Sequence, residues 1–238
     1  MWGSGKLAAV AAVVVGMVVG ASLAGCGGSV GKVPGVVSSG SGSGSAVGTA
    51  TADLNALTVA AAHAMKGYSR DRFPHWSGQG GGCDTRDVVL KRDGTWVTVT
   101  GQCTIASGQW RSRYDDQVFT DPGKLDIDHM VPLANAWRSG SDTWDDTRRG
   151  AFANDLTRPQ LLAVSATSNR AKGDQDPSQW RPPVRGYWCE YAQRWITVKR
   201  YWQLTVTTAE KSKLAEMLET CPWPSSAPPP SSTTPAAS

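Results

Sequence analysis

Asp128 and His129 stand side by side in LDIDHMVPL, residues 125–133, in a chain that has only three histidines. A short apolar strand gains nothing from a carboxylate next to an imidazole, because buried polar groups cost free energy unless they are paired. A neutral imidazole is suited to take a proton near neutral pH, which makes His129 a candidate general base. Partners for such a base occur downstream: Asn154 in FANDL and Asn169 in SNRAKGDQDP. Adjacent strand side chains point to opposite faces, so Asp128 and His129 serve one site only where the strand ends or turns, as Pro132 allows.

The elements that must position these residues follow from pattern. LDIDHMVPL reads as a strand leading into LANAWRSG, and TWDDTRRGAFAN, 143–154, as a helix. PQLLAVSA is a second short strand. Ser165 caps a short helix through SNRAKG that Gly173 stops. The order is strand, connection with its own helix, strand, helix. His129 lies on the first strand and Asn169 in the first turns of the closing helix. Upstream, DLNALTVAAAHAMK, 53–66, reads as an Ala-rich helix capped by Asp53, and SRDRFPHWSGQGGGC as a loop. DVVLKRDGTWVTVTGQCTI reads as a β-hairpin turning at Asp93-Gly94, and GQWRSRY adds a strand. Downstream, Trp188, Tyr191, Trp195, Val198 and Trp202 recur at helical spacing, a core stripe rather than a ligand box. Thr207 with Glu210 forms a capping box for a last helix running to about Thr220.

Flanking segments have different compositions. Lys6, an apolar run from Leu7 to Ala21 and small residues after it make residues 1–25 an export signal. Leu23-Ala24-Gly25-Cys26 resembles the lipobox of bacterial lipoproteins, which implies lipidation of Cys26; an ordinary cleaved signal and an uncleaved anchor are the alternatives. Residues 26–51 read as a flexible Gly/Ser tether and 223–238 as a Pro/Ser/Thr tail without fixed structure. One domain then spans 52–222. Localisation follows: exported, and either lipid-anchored on the outer face of the membrane or secreted.

Apart from Cys26, four cysteines remain: Cys83, Cys103, Cys189 and Cys221. An even number in an exported chain implies two disulfides, of which three pairings are possible. Cys83–Cys103 is preferred because both flank the hairpin, and Cys189–Cys221 because both lie on the C-terminal helical segment. No CxxC or CxxH spacing supports zinc. Without Lys6, 23 basic residues face 20 acidic ones. That mild excess demonstrates no polyanion partner by itself, but RSRY, TRRG, NRAKG and RPPVR gather it in mid-domain.

DHMVP, ANDLT, LLAVSATSNRAKGD and the W-R-P of QWRPP together resemble the HNH endonucleases, and more narrowly the secreted type related to the C-terminal domain of GmrSD-type restriction enzymes. The resemblance runs from about Tyr68 to Cys221. It implies an α+β fold: a ββα-metal (HNH, His-Me finger) core with an N-terminal β-hairpin and C-terminal helices. It also implies Asp128 and Asn169 as ligands of a divalent metal, and Asn154 as a brace for the segment carrying His129. Two oxygen ligands completed by water and phosphate suit Mg²⁺ or Mn²⁺.

Phosphodiester hydrolysis needs an activated water, a cation for charge developing on phosphate oxygens, and a stabilised leaving oxygen. The expected function is therefore metal-dependent hydrolysis of nucleic acid outside the cytoplasm, of DNA in preference to RNA, with His129 as base. Low sequence specificity is expected, because no zinc finger or helix-turn-helix is present to read bases. Arg170, Lys172 and Arg86 are candidate phosphate contacts, against exposed helix charges for the first two and an ion pair with Asp84 or Asp87 for the third. Asp126 is either an acid supporting the site or a solvated strand residue. His75 reads as packed structure and His63 as an ordinary helix residue. Asn154 reads equally as a helix cap. No protein partner is inferred and a monomer is expected. The competing function is a non-catalytic, disulfide-stapled surface lipoprotein that binds cell-wall polymer or a partner protein.

Overall fold

In the computed structural model, residues 42–222 are described. The expected signal 1–25, Cys26, the tether up to residue 41 and the tail 223–238 lie outside them. The domain mixes helices and strands, an α+β fold.

The chain starts with helix α1, Gly42–Ala56, which packs on the two C-terminal helices and buries Ala50 and Leu54. Residues 42–51, expected as tether, are thus part of α1. The helix expected over 53–66 ends at Ala56, with Asp53 inside it. The Ala-rich stretch beyond runs extended, because its backbone pairs with residue 206: Ala60 N donates to Val206 O at 2.9 Å and Val206 N to Thr58 O at 3.0 Å. Helix propensity is a weak preference that such pairing overrides. A single 3-10 turn, Arg70–Arg72, follows.

Short strands β1, Gly78–Gly80, and β2, Cys83–Asp84, then lead into helix α2, Thr85–Asp93. This corrects the expected hairpin. Asp84 and Asp87 form a capping box, and the Val-Val-Leu run buries Val89 and Leu90 from a helix. The hairpin lies one element later: β3, Thr95–Thr100, and β4, Thr104–Arg111, turn at Gly101, whose φ of +57° suits glycine. Gly94 has another use, since a Cβ there would meet the Trp110 indole at 2.5 Å. Strand β5, Val118–Phe119, completes this three-stranded sheet in the order β3-β4-β5.

Strand β6, Leu125–His129, pairs antiparallel with β7, Leu161–Ser165, placing Asp128 opposite Leu162 and His129 opposite Leu161. Between them lie α3, Leu133–Arg138, and α4, Asp146–Ala153; α5, Ala166–Lys172, follows β7 directly and packs on both strands. Both faces of the pair are covered, which explains the unbroken apolar run LLAVS. One face joins Leu125, Ile127, Leu161 and Ala163 to Val89, Leu90 and Trp110. The other places Leu162 and Val164 in the helical core.

That larger core is aromatic and is built mainly by α6, Trp188–Trp202, and α7, Thr208–Leu218. The stripe expected on α6 supplies buried Tyr191, Trp195, Val198 and Trp202, and Thr207 with Glu210 forms the expected capping box. Disulfides join Cys83 to Cys103 and Cys189 to Cys221. The first ties the start of α2 to the β3-β4 turn, and the second ties α6 to the end of α7.

Candidate active site

Strand β6 ends at His129, and the chain turns at Pro132 into α3. Over that end lies a pocket of about 240 Å³ whose lining includes Tyr68, Arg70, Asp128, His129, Asn169 and Arg170. Asp128 and His129 leave the strand on opposite faces, yet both border this pocket, because it sits across the strand's last residues and the start of α3.

His129 faces the loop after the 3-10 turn. Its ring stacks on Trp76 with centroids 5.3 Å apart and planes 5° apart, and the His75 ring meets it edge-on at 5.9 Å. His75 is thus packed structure, but structure applied to the candidate base itself. The Nε2 of His129 lies 2.9 Å from the carbonyl of Ala153. A carbonyl only accepts, so Nε2 carries the hydrogen and Nδ1 keeps the lone pair. Burial, the largest influence, lowers the imidazole pKa to about 3, so the ring is neutral at ordinary pH.

Asn154, the C-cap of α4, follows that carbonyl. Its Nδ2 donates to Pro74 O at 2.7 Å and Gly150 O at 2.8 Å, and its Oδ1 accepts from Ser77 N at 2.9 Å and Thr85 Oγ1 at 2.8 Å. The side chain therefore seats the 74–77 loop, which carries the Trp76 ring, against α4 and α2. Its hold on His129 is indirect.

On the other face, Asp128 is buried. Its Oδ2 accepts from Lys172 Nζ at 2.6 Å and from the Tyr114 hydroxyl, and Lys172 Nζ also donates to His129 O at 2.8 Å. Lys172 has no exposed surface. It is not free to meet a substrate phosphate, because α5 turns it into the sheet rather than out of it. Burial drives the Asp128 carboxyl pKa up and the Lys172 ammonium pKa down, and their mutual attraction opposes both shifts.

Asn169 donates from Nδ2 to Asp126 Oδ2 at 3.1 Å. A carboxylate accepts only, so this bond fixes the amide and leaves Asn169 Oδ1 for other partners. Asp126 thus supports Asn169. Arg170 is 78% exposed and lies 3.8 Å from the same carboxylate. Arg86 is spent elsewhere: its Nη2 donates to Pro122 O at 3.1 Å and Leu125 O at 3.0 Å. It holds the entry to β6 and lies outside the pocket lining, so neither a phosphate contact nor an ion pair with Asp84 or Asp87 describes it. His63, in the extended segment, lies 2.9 Å from Asp142.

Tyr68, Arg70, Trp76 and Tyr114 were not singled out in the sequence. For the first three, the signal available was the stretch 66–77, dense in aromatic and charged residues but without periodicity, the kind of loop that tends to carry function; Tyr114 had no comparable signal.

The family model for the C-terminal domain of GmrSD restriction endonucleases matches residues 84–217. The chain belongs to this family. The matched span of the GmrSD C-terminal domain contains Asp128, His129, Asn154, Asn169 and Lys172, while Tyr68, Arg70 and Trp76 precede it. An uncharacterized secreted protein of Arthroderma benhamiae is 52% identical over 168 residues, which cover 71% of this chain and 82% of that protein. No solved structure matches the chain significantly.

Proposed function

We propose that this GmrSD C-terminal domain is a metal-dependent nuclease of the HNH type, hydrolysing phosphodiester bonds of nucleic acid, DNA in preference to RNA and with low sequence specificity. The observation that carries the reading is His129, its Nε2 held 2.9 Å from the Ala153 carbonyl, bordering the same pocket as Asp128 and Asn169. β6, β7 and α5 serve as the ββα core of such enzymes.

Among the described residues no three His, Cys, Asp or Glu side chains converge into a metal site. A site of two hard oxygens is nevertheless compatible with the residues present. Lys172 and Tyr114 both occupy Oδ2 of Asp128, leaving Oδ1, and Asp126 turns Oδ1 of Asn169 free. These two oxygens would hold Mg²⁺ or Mn²⁺, with water and phosphate completing the shell. A divalent cation bound there supplies charge stabilisation for the phosphate and leaving oxygens.

His129 Nδ1 takes a proton from the attacking water, whose oxygen forms the new bond to phosphorus as the bond to the leaving oxygen breaks. The hydrogen bond to Ala153 fixes the tautomer, and Trp76 fixes the ring plane. The relative's name and the two disulfides support export from the cytoplasm, and action there is part of the proposal. A lipid anchor at Cys26 has no comparable support.

The test incubates purified protein with plasmid DNA, single-stranded DNA and RNA across Mg²⁺, Mn²⁺, Ca²⁺ and Zn²⁺, with EDTA controls. Cleavage with Mg²⁺ or Mn²⁺, abolished by EDTA, is expected. Intact substrates under every ion would refute the proposal.

A further inference from the structure

The pocket over His129 has a surplus charge. Three carboxylates border or support it, and each has its own cation. Asp128 pairs with Lys172 at 2.6 Å, Asp174 with Arg138 at 2.6 Å, and Asp126 with Arg170 at 3.8 Å. Arg70 also lines the pocket, and its guanidinium has no hydrogen-bond or ion-pair partner among the described residues. It is exposed, yet its charge is close enough to act on the His129 ring.

The backbone beneath Arg70 is anchored although the side chain is not. Ser69 caps the 3-10 turn by accepting from Asp71 N at 3.2 Å, and Phe73 N closes it onto Arg70 O at 3.0 Å. Phe73 is fully buried. Arg149, itself buried, donates to Arg72 O at 3.1 Å and to Ser141 O at 2.9 Å, and the Arg72 guanidinium lies 5.2 Å from the Trp137 ring centre. A turn held this firmly presents Arg70 at the pocket with little backbone entropy left to lose on binding. A planar guanidinium also matches two phosphate oxygens at once.

We propose that Arg70 is the phosphate-binding residue of this pocket, donating to non-bridging oxygens of the nucleic-acid strand beside His129. This rests on the nuclease reading above and adds to it the group that recognises the strand.

The experiment uses the full chain in an H129A background, so that substrate survives. Binding of a fluorescent DNA oligonucleotide is measured from low to moderate salt for H129A, H129A/R70A and H129A/R70K. Losing a charge-assisted contact predicts binding weaker by about 10- to 100-fold for H129A/R70A. The slope of log affinity against log salt should shrink by about 0.7–0.9. R70K keeps the charge but not the fork, so the slope should hold while affinity falls part-way. Melting temperature should not move, because the guanidinium is solvated and unpaired. Unchanged affinity and slope in H129A/R70A would overturn the assignment of Arg70 even where wild type cuts and H129A does not. If H129A cuts as wild type does, or wild type neither cuts nor binds nucleic acid, the nuclease reading falls, and Arg70's role with it.

Discussion

Lys172→Met tests how the buried side of the site is built. The Lys172 ammonium has no exposed surface and lies 2.6 Å from Asp128 Oδ2 and 2.8 Å from His129 O. Met fills similar space but leaves the Asp128 carboxylate buried with only Tyr114 to hold it. Breaking a buried pair from one side costs about 3–5 kcal/mol, most of it the uncompensated charge. For a domain of this size that lowers the melting temperature by about 6–20 °C. The double variant D128N/K172M removes the stranded charge, and its amide oxygen still accepts from Tyr114, so it should recover a large part of the loss. Urea unfolding with disulfides intact, measured for wild type, both single variants and the double, yields the coupling energy. If K172M costs less than about 0.5 kcal/mol, as surface substitutions usually do, and instead alters the salt dependence of nucleic-acid binding, Lys172 is a solvent-facing phosphate contact and the buried pair is not as described.

The neutral His129 makes a pH prediction. Its pKa falls from the ordinary 6.5 to about 3 in the fold, so between those values the unfolded chain binds the extra proton. Stability from this group is complete above about pH 6.5 and lost as pH falls towards 3, by about 1.4 kcal/mol per unit. From pH 7 to 5 that is about 2 kcal/mol, which H129Q should not lose; equal pH dependence of urea midpoints in EDTA would contradict it. Asn154→Ala removes four hydrogen bonds, at about 0.5–1.5 kcal/mol each. It should cost about 2–6 kcal/mol and lower kcat more than KM, because the loop carrying Trp76 loses its seat; a change in KM alone would argue against a positioning role. Replacing both Cys189 and Cys221 by Ser opens a 32-residue separation and should cost about 3–4 kcal/mol in chemical unfolding.

What the sequence revealed was carried by local chemistry. Ser165 and Gly173 bracket α5, Thr207 and Glu210 start α7, and the aromatic spacing of α6 marks its buried face, because caps and periodicity act within a turn or two. Strands β6 and β7 were each legible from a short apolar run, whereas their pairing across more than 30 residues and the grouping of Asp128, His129, Asn154 and Asn169 were implied by the HNH resemblance. The misreadings involve distant partners. Val88-Val89 resembles a strand, yet the Asp84–Asp87 box and the Trp110 indole over Gly94 settle it as helix. Residues 57–66 have helical composition, but residue 206 captures their backbone. Lys172 read as a phosphate contact or an exposed helix charge and Arg86 as a phosphate contact or an ion-pair partner of Asp84 or Asp87, but burial claims the first and the carbonyls of Pro122 and Leu125 the second. Arg70 and Trp76 come from an aperiodic loop whose importance appears only where it folds over His129.

The most direct test of the central claim is the single-turnover rate of DNA cleavage by His129→Ala, with Mg²⁺ or Mn²⁺ present and oligonucleotide binding measured on the same preparation. Loss of a positioned general base predicts a rate about 10²- to 10⁴-fold lower with binding and fold retained. Cleavage at the wild-type rate by a folded, DNA-binding His129→Ala protein would contradict the account.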